Sequence, residues 1–163
     1  VHSFDLHKNK LSLIESGAQR LGLSIVTATE RDARQPDPEL LGRCDRVLCD
    51  VPCSGFGVFA KKPELRYKDA EQSEALPTIQ LAILESACQY VKAGGRLVYS
   101  TCTLRQEENH LVTEKFLKAH PEFRIAALPE SCGVFAGKHG EMTLLPHQYG
   151  TDGFYICRMT RKA

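Results

Sequence analysis

The sequence predicts an α/β domain with a largely parallel sheet. Short β-branched apolar runs alternate with segments of helical period. The 163 residues match one ordinary domain. With 42% apolar and 25% charged residues the chain can fill a core, and no low-complexity linker or repeat divides it, so residues 1–163 are read as one domain.

Each element follows from its local pattern. "VHSF" is a short strand ending at Asp5. Leu11, Ile14, Ala18 and Leu21 recur at spacings of three and four, predicting an amphipathic helix from Lys8 to Leu21 that Gly22 stops. "LSIVTA" is the next strand, and "ERDARQPDPE" a polar loop with two prolines. "CDRVLCDVP" is a strand whose apolar content predicts a buried position, and Pro52 ends it by removing a ladder donor. A loop from Ser54 to about Glu71 follows, then a nearly all-apolar helix from Ile79 to Val91, with "KAGG" as its stop. "RLVYST" is a strand. Thr103-Leu104-Arg105-Gln106 has capping-box form and predicts a helix starting at Thr103, with Leu111, Val112, Phe116 and Ala119 inward and Pro121 closing it. "FRIAAL" and "GFYICRM" are the last two strands, joined by an irregular segment with turns at "GKHG" and "PHQYGTDG".

Composition narrows the function. A formal net charge of +1 gives no global nucleic-acid footprint, so any such surface is local. No apolar run approaches the roughly 18 residues of a membrane span, and "VHSFDLHKNK" has no signal-peptide form. A start at Val1 reads as a fragment or a domain cut from a longer protein. Seven cysteines, odd in number and without C-x-x-C, argue against a disulfide framework, a zinc ribbon or a thioredoxin-type site. No metal is expected, and the setting is read as reducing and cytoplasmic.

In open parallel sheets ligands sit beyond the carboxyl ends of strands. Asp5, Asp32, Asp50 with Cys53, and Cys102 fall at such ends, so the fold is expected to gather them on one rim. Asp5 suits a ribose diol, though a helix cap or solvated turn would equally explain it. Asp32 could accept from an adenine amino group, or be an ordinary loop Asp. Cys102, just before the predicted helix, would feel the positive end of its dipole, which favours a thiolate nucleophile. Cys53 precedes a Ser-Gly turn where backbone can approach a ligand. The bland alternative is two inert buried thiols. In "AKKPELRYK", Lys61, Lys62, Arg66 and Lys68 flank Tyr67, with Phe56 and Phe59 nearby. Such cations and rings suit single-stranded RNA, or a solvated lid.

"DVPCSG" resembles the D-x-P-C-S-G motif, and "YSTCT" the S-T-C-S/T motif, of RNA cytosine-5 methyltransferases of the Sun/Fmu type, nearest to their bacterial small-subunit rRNA branch. The likeness extends through "FDLHKNKL", "RDAR", "KKPELRY", "YVKAGGRLVYSTCT", "EEN" and "LLPHQYGTDGFYICRM". It implies a Rossmann-like class I methyltransferase fold, mostly parallel with an antiparallel last strand, using S-adenosylmethionine on RNA, with 16S rRNA the expected substrate and a monomer the expected state. Carried over, Cys102 would attack carbon 6 of cytosine and Cys53 would assist release. Asp50 would contact the base and lie near the methionine end of the cofactor, Asp5 would bind its ribose and Asp32 its adenine. Departing from the pattern, the family's glycine-rich cofactor loop and the sheet strand that carries it, expected just before "VHSFD", are not in the sequence. An inactive RNA-binding module is therefore a competing expectation. An amino-methylating enzyme on the same fold is disfavoured by the cysteines.

Overall fold

The structure is a computed structural model that describes residues 1–135 and 139–163. In order, its elements are β1 (His2–Asp5), α1 (Lys8–Arg20), β2 (Thr27–Glu30), β3 (Cys44–Asp50), α2 (Leu76–Cys88), β4 (Val91–Thr101), α3 (His110–Ala119), β5 (Phe123–Ile125), β6 (Glu141–Leu144), α4 (Pro146–Tyr149) and β7 (Phe154–Arg161). The strands form two sheets. β1 and β2 pair in parallel. The larger sheet runs β3-β4-β7-β5, with β6 also on β7. β3 and β4 are parallel, while β7 is antiparallel to β4, β5 and β6. Within this sheet every strand but β7 therefore runs one way.

Alternation builds the core. Leu97, Tyr99 and Thr101 of β4 and Tyr155, Cys157 and Met159 of β7 point to one face and are buried. Leu84, Ala87 and Cys88 of α2, with Val112 and Phe116 of α3, close over that face. The rings of Tyr99 and Tyr155 meet edge-on at 6.1 Å. The smaller sheet joins this core through Tyr90, whose ring lies 6.5 Å from that of Phe4 and whose hydroxyl accepts from the Asp37 N–H at 2.7 Å.

Several boundaries differ from expectation. β2 begins at Thr27, not Leu23, because Val1 bonds both the Ile25 carbonyl and the Thr27 N–H and sets the register there. The apolar helix is displaced toward the N-terminus: α2 starts at Leu76, with Pro77 in its first turn, and ends at Cys88. Val91 and "KAGG" belong to β4, since Val91 pairs with Cys44 before an irregularity carries the register on to Arg96. β3 is not a buried strand. It bonds only β4 among the described residues, and Leu48 is 68% exposed. The capping box at Thr103 is not used; residues 106–108 form a single 3₁₀ turn and α3 begins at His110 with Asn109 before it. Leu111 is exposed and Thr113 takes the inward place. β6 was not expected, as "EMTL" lacks a clear alternation. Half of the "GKHG" turn, Gly137 and Lys138, lies outside the described residues, while "PHQYGTDG" forms α4 and a left-handed Gly150.

Candidate active site

Parallel pairing of β3 with β4 places Asp50 opposite Ser100, so the segments that follow both strands emerge side by side. Ser100 Oγ donates to Asp50 Oδ1 at 3.0 Å. Beyond them the Cys53 and Cys102 sulfurs lie 3.2 Å apart, and the Cys102 N–H points at Cys53 Sγ at 3.3 Å. Forty-nine residues of sequence separation thus become a direct thiol contact. Both thiols are free and half-buried. Burial, then the Cys102 contact, push the Cys53 thiol up to about 12, so it holds its proton at neutral pH.

The dipole argument for Cys102 does not survive. The helix it was expected to precede starts eight residues later, beyond the reach of a first-turn effect. What surrounds Cys102 instead is fixed backbone. Its carbonyl accepts from Gly57 N–H at 2.9 Å, and the Gly57 carbonyl accepts from Gly153 N–H at 2.7 Å. Three loops are stitched together there.

The segment around Cys53 is held from inside. Ser54 N–H donates to Glu108 Oε2 at 2.8 Å, and Ser54 Oγ meets Thr103 Oγ1 at 2.8 Å. Gln80 Nε2 donates to the Pro52 carbonyl at 2.9 Å and to Glu108 Oε2 at 3.0 Å. Glu108 and Gln80 have no exposed surface. Sequence reasoning missed both. "QEENH" is uniformly polar and gives no sign of burial; a polar Gln80 inside the apolar run "TIQLAILESA" was the available signal.

The other expected residues divide. Asp5 and Asp32 end up beside the smaller sheet, with Asp5 at the carboxyl end of β1 and Arg31 N–H bonded to its carbonyl. Asp5 Oδ1 accepts from His7 N–H at 2.8 Å, closing a turn into α1, and among the described residues Oδ2 has only Lys10 at 3.9 Å. A carboxylate with that much acceptor capacity left fits a ribose diol. Asp32 fits adenine less well: both its oxygens are engaged by Arg34, at 2.6–3.0 Å, which lowers its pKa to about 2. An adenine contact would require Arg34 to swing away. Of the four cations, Lys61 pairs with Asp152 at 2.5 Å. Lys68 donates to the Ser54 carbonyl at 3.2 Å and lies 6.0 Å from the Phe56 ring centre, so it buttresses the Cys53 turn. Lys62 and Arg66 are exposed along a 3₁₀ turn, Pro63–Tyr67, beside a Tyr67 that is 91% exposed. Among the described residues no cluster of three metal-ligating side chains occurs, and no helix is long and apolar enough to cross a membrane.

An α/β sheet with one reversed strand and its reactive groups at strand ends is the architecture of Rossmann-like class I methyltransferases, whose methyl donor is S-adenosylmethionine. The chain belongs to the 16S rRNA methyltransferase RsmB/F family, whose model matches residues 1–160. It is 45% identical over 169 residues to the probable ribosomal RNA small subunit methyltransferase B of Bacillus subtilis (strain 168), covering 99% of this chain and 38% of that protein. Among solved structures, PH0851 is 34% identical with a TM-score of 0.86, covering 97% of this chain and 36% of that one. NSun6 from Pyrococcus horikoshii, solved with SFG, is 30% identical with a TM-score of 0.77, covering 99% and 41%. The chain thus spans well under half the length of these relatives.

Proposed function

We propose that this chain is the thiol-bearing part of an enzyme that methylates carbon 5 of a cytosine in RNA, with 16S rRNA as its substrate. The carrying observation is the contact of Cys53 and Cys102 at 3.2 Å, with Asp50 at the same pair of strand ends.

Cytosine carbon 5 is a poor nucleophile. Once the Cys102 thiol has released its proton to water, addition of its sulfur to carbon 6 breaks the 5,6 double bond and places its electrons on carbon 5. Asp50, held by Ser100, is suited to keep the ring nitrogen protonated, which makes carbon 6 more electrophilic. When bound, S-adenosylmethionine would supply the electrophilic methyl group; Asp5 would hold its ribose, Asp50 would face its methionine end, and Asp32 would reach its adenine once Arg34 had swung away. Loss of the carbon 5 proton to water then restores the double bond and expels Cys102 as a thiolate. Cys53, which keeps its proton to high pH, can hand it to the departing Cys102 sulfur 3.2 Å away. Lys62 and Arg66 contact phosphates from the 3₁₀ turn, with Lys61 and Lys68 nearer the site.

The test uses the full-length protein and RNA carrying 5-fluorocytosine, which has no carbon 5 proton to lose. Wild type should form an adduct stable to denaturing gels, and Cys102→Ala none. Cys53→Ala should accumulate an adduct even with ordinary RNA. Methylation by Cys102→Ala at the wild-type rate would refute the assignment.

A further inference from the structure

Glu108 and Asn109 are consecutive, both are buried, and each grips a different cysteine segment. On the Cys53 side, Glu108 Oε2 receives the N–H of Ser54 and the amide of Gln80, and that same amide also holds the Pro52 carbonyl. The peptide groups before and after Cys53 are thus tied to one carboxylate–amide pair. On the Cys102 side, Thr101 Oγ1 donates to Asn109 Oδ1 at 2.5 Å, and Asn109 Nδ2 donates to the Thr103 carbonyl at 2.9 Å. The residues flanking Cys102 are thus tied to one side-chain amide. Tyr99 OH donates to the Glu108 carbonyl at 2.6 Å and fixes the backbone between the two grips.

Arg105 Nε is 3.8 Å from Glu108 Oε1, which accepts no hydrogen bond among the described residues. A fully buried carboxylate is costly, and an apolar side chain would avoid that cost only by leaving the Ser54 N–H and the Gln80 amide without this acceptor. What Glu108 adds is one oxygen that accepts from the Ser54 N–H and the Gln80 amide together, and hence a fixed position for the thiol between them. Misplacing a reacting group by 1 Å costs roughly a hundredfold in rate.

We propose that Glu108 and Asn109 are positioning residues with divided duties. Glu108, with Gln80, sets Cys53 for release of the product, and Asn109 sets Cys102 for attack. The proposal rests on the two-thiol methylation reading, and its test separates the two.

In full-length protein, diamide oxidises two adjacent thiols to a disulfide and is itself reduced to the hydrazine. The rate of Cys53–Cys102 pairing, followed by peptide mass mapping, reports their juxtaposition without any RNA. Glu108→Ala and Asn109→Ala should each slow it by about tenfold or more. Glu108→Gln, whose amide oxygen still accepts from Ser54, should stay within about threefold, as should Glu107→Gln, which removes an exposed charge next door. With RNA the variants should part. Glu108→Ala should accumulate adduct on ordinary RNA, as Cys53→Ala does, while Asn109→Ala should form little adduct even on 5-fluorocytosine RNA. Should Glu108→Ala fail to fold, by circular dichroism, Gln80→Leu carries the same expectation with the carboxylate in place. Unchanged thiol pairing in folded variants, or identical adduct behaviour for Glu108→Ala and Asn109→Ala, overturns the division. Wild type that pairs its thiols but never traps 5-fluorocytosine RNA overturns the methylation reading instead.

Discussion

Gly57 sits where three loops meet. A Cβ there would lie 2.0 Å from the Gly153 carbonyl oxygen and 2.8 Å from that of Cys102. Both neighbours are backbone, so neither can rotate aside. Gly57→Ala must push the Cys53 loop off the Cys102 loop, breaking the bonds Gly57 makes to both partners. The expected cost is about 1–3 kcal/mol in urea denaturation, with a loss of adduct formation larger than stability alone would give. Unchanged trapping by Gly57→Ala would mean that this crossing does not set the thiols. The same reasoning ranks the other residues. Cys53 and Cys102 carry the proposed chemistry; Glu108, Asn109 and Gln80 carry only their placement, through backbone atoms of their neighbours and the Thr101 hydroxyl.

The 3₁₀ turn Pro63–Tyr67 is the element best suited to meet RNA backbone. Lys62 and Arg66 are exposed there, while Lys61 is drawn to Asp152 and Lys68 to the Ser54 carbonyl. The four cations are therefore not equivalent. Lys62→Ala and Arg66→Ala should each weaken binding of the full-length protein to single-stranded RNA and reduce the slope of log Kd against log salt by about 0.7. Lys68→Ala should cost more in adduct formation than in salt slope, because its ammonium supports the Cys53 turn. A titration of Kd between low and moderate salt separates these outcomes, and equal slope changes for Lys62 and Lys68 would contradict the assignment. The displaced start of α3 belongs to this scale too. Glu108 and Asn109 could not grip the cysteine segments if residues 103–109 continued a helix, so the capping box is overridden by tertiary bonds.

At the scale of the whole molecule, the core is unusually rich in thiols and phenols. Burial raises Cys49 and Cys157 to about 12 and Cys88 to about 11, and it raises Tyr99 and Tyr155 as well. These groups titrate higher when folded than when unfolded. Their contribution is fully present below the unfolded thiol value of 9.0 and is lost as pH rises through the folded values, because the unfolded chain sheds protons that the native chain keeps. Stability should thus fall between about pH 9 and 12, measured as Tm or urea midpoint. Cys49→Val, which keeps an apolar side chain but has no proton to lose, should flatten that decline. A steeper decline for Cys49→Val would reverse the sign of this account.

The sequence by itself determined the order of elements from β1 to β5 and the last strand, the family motifs and the two thiols at strand ends. These are local properties: periodicity, turn residues and short motifs are read within a few residues. It did not determine that β3 lies open on one side, that Val91 leaves the helix for a strand, or that Cys102 lacks a helix behind it. Those outcomes depend on which strand finds which partner, a choice made between residues tens of positions apart. The same holds for the site. Cys53 and Cys102 were legible because motifs name them. Glu108 and Asn109 stood in the family-like "EEN" with no role attached, and Gln80 in no motif, because a polar side chain reveals its burial only when the groups it satisfies are known. Tertiary structure alone brought the two sulfurs to 3.2 Å, because adjacent parallel strands must release their chains at the same edge.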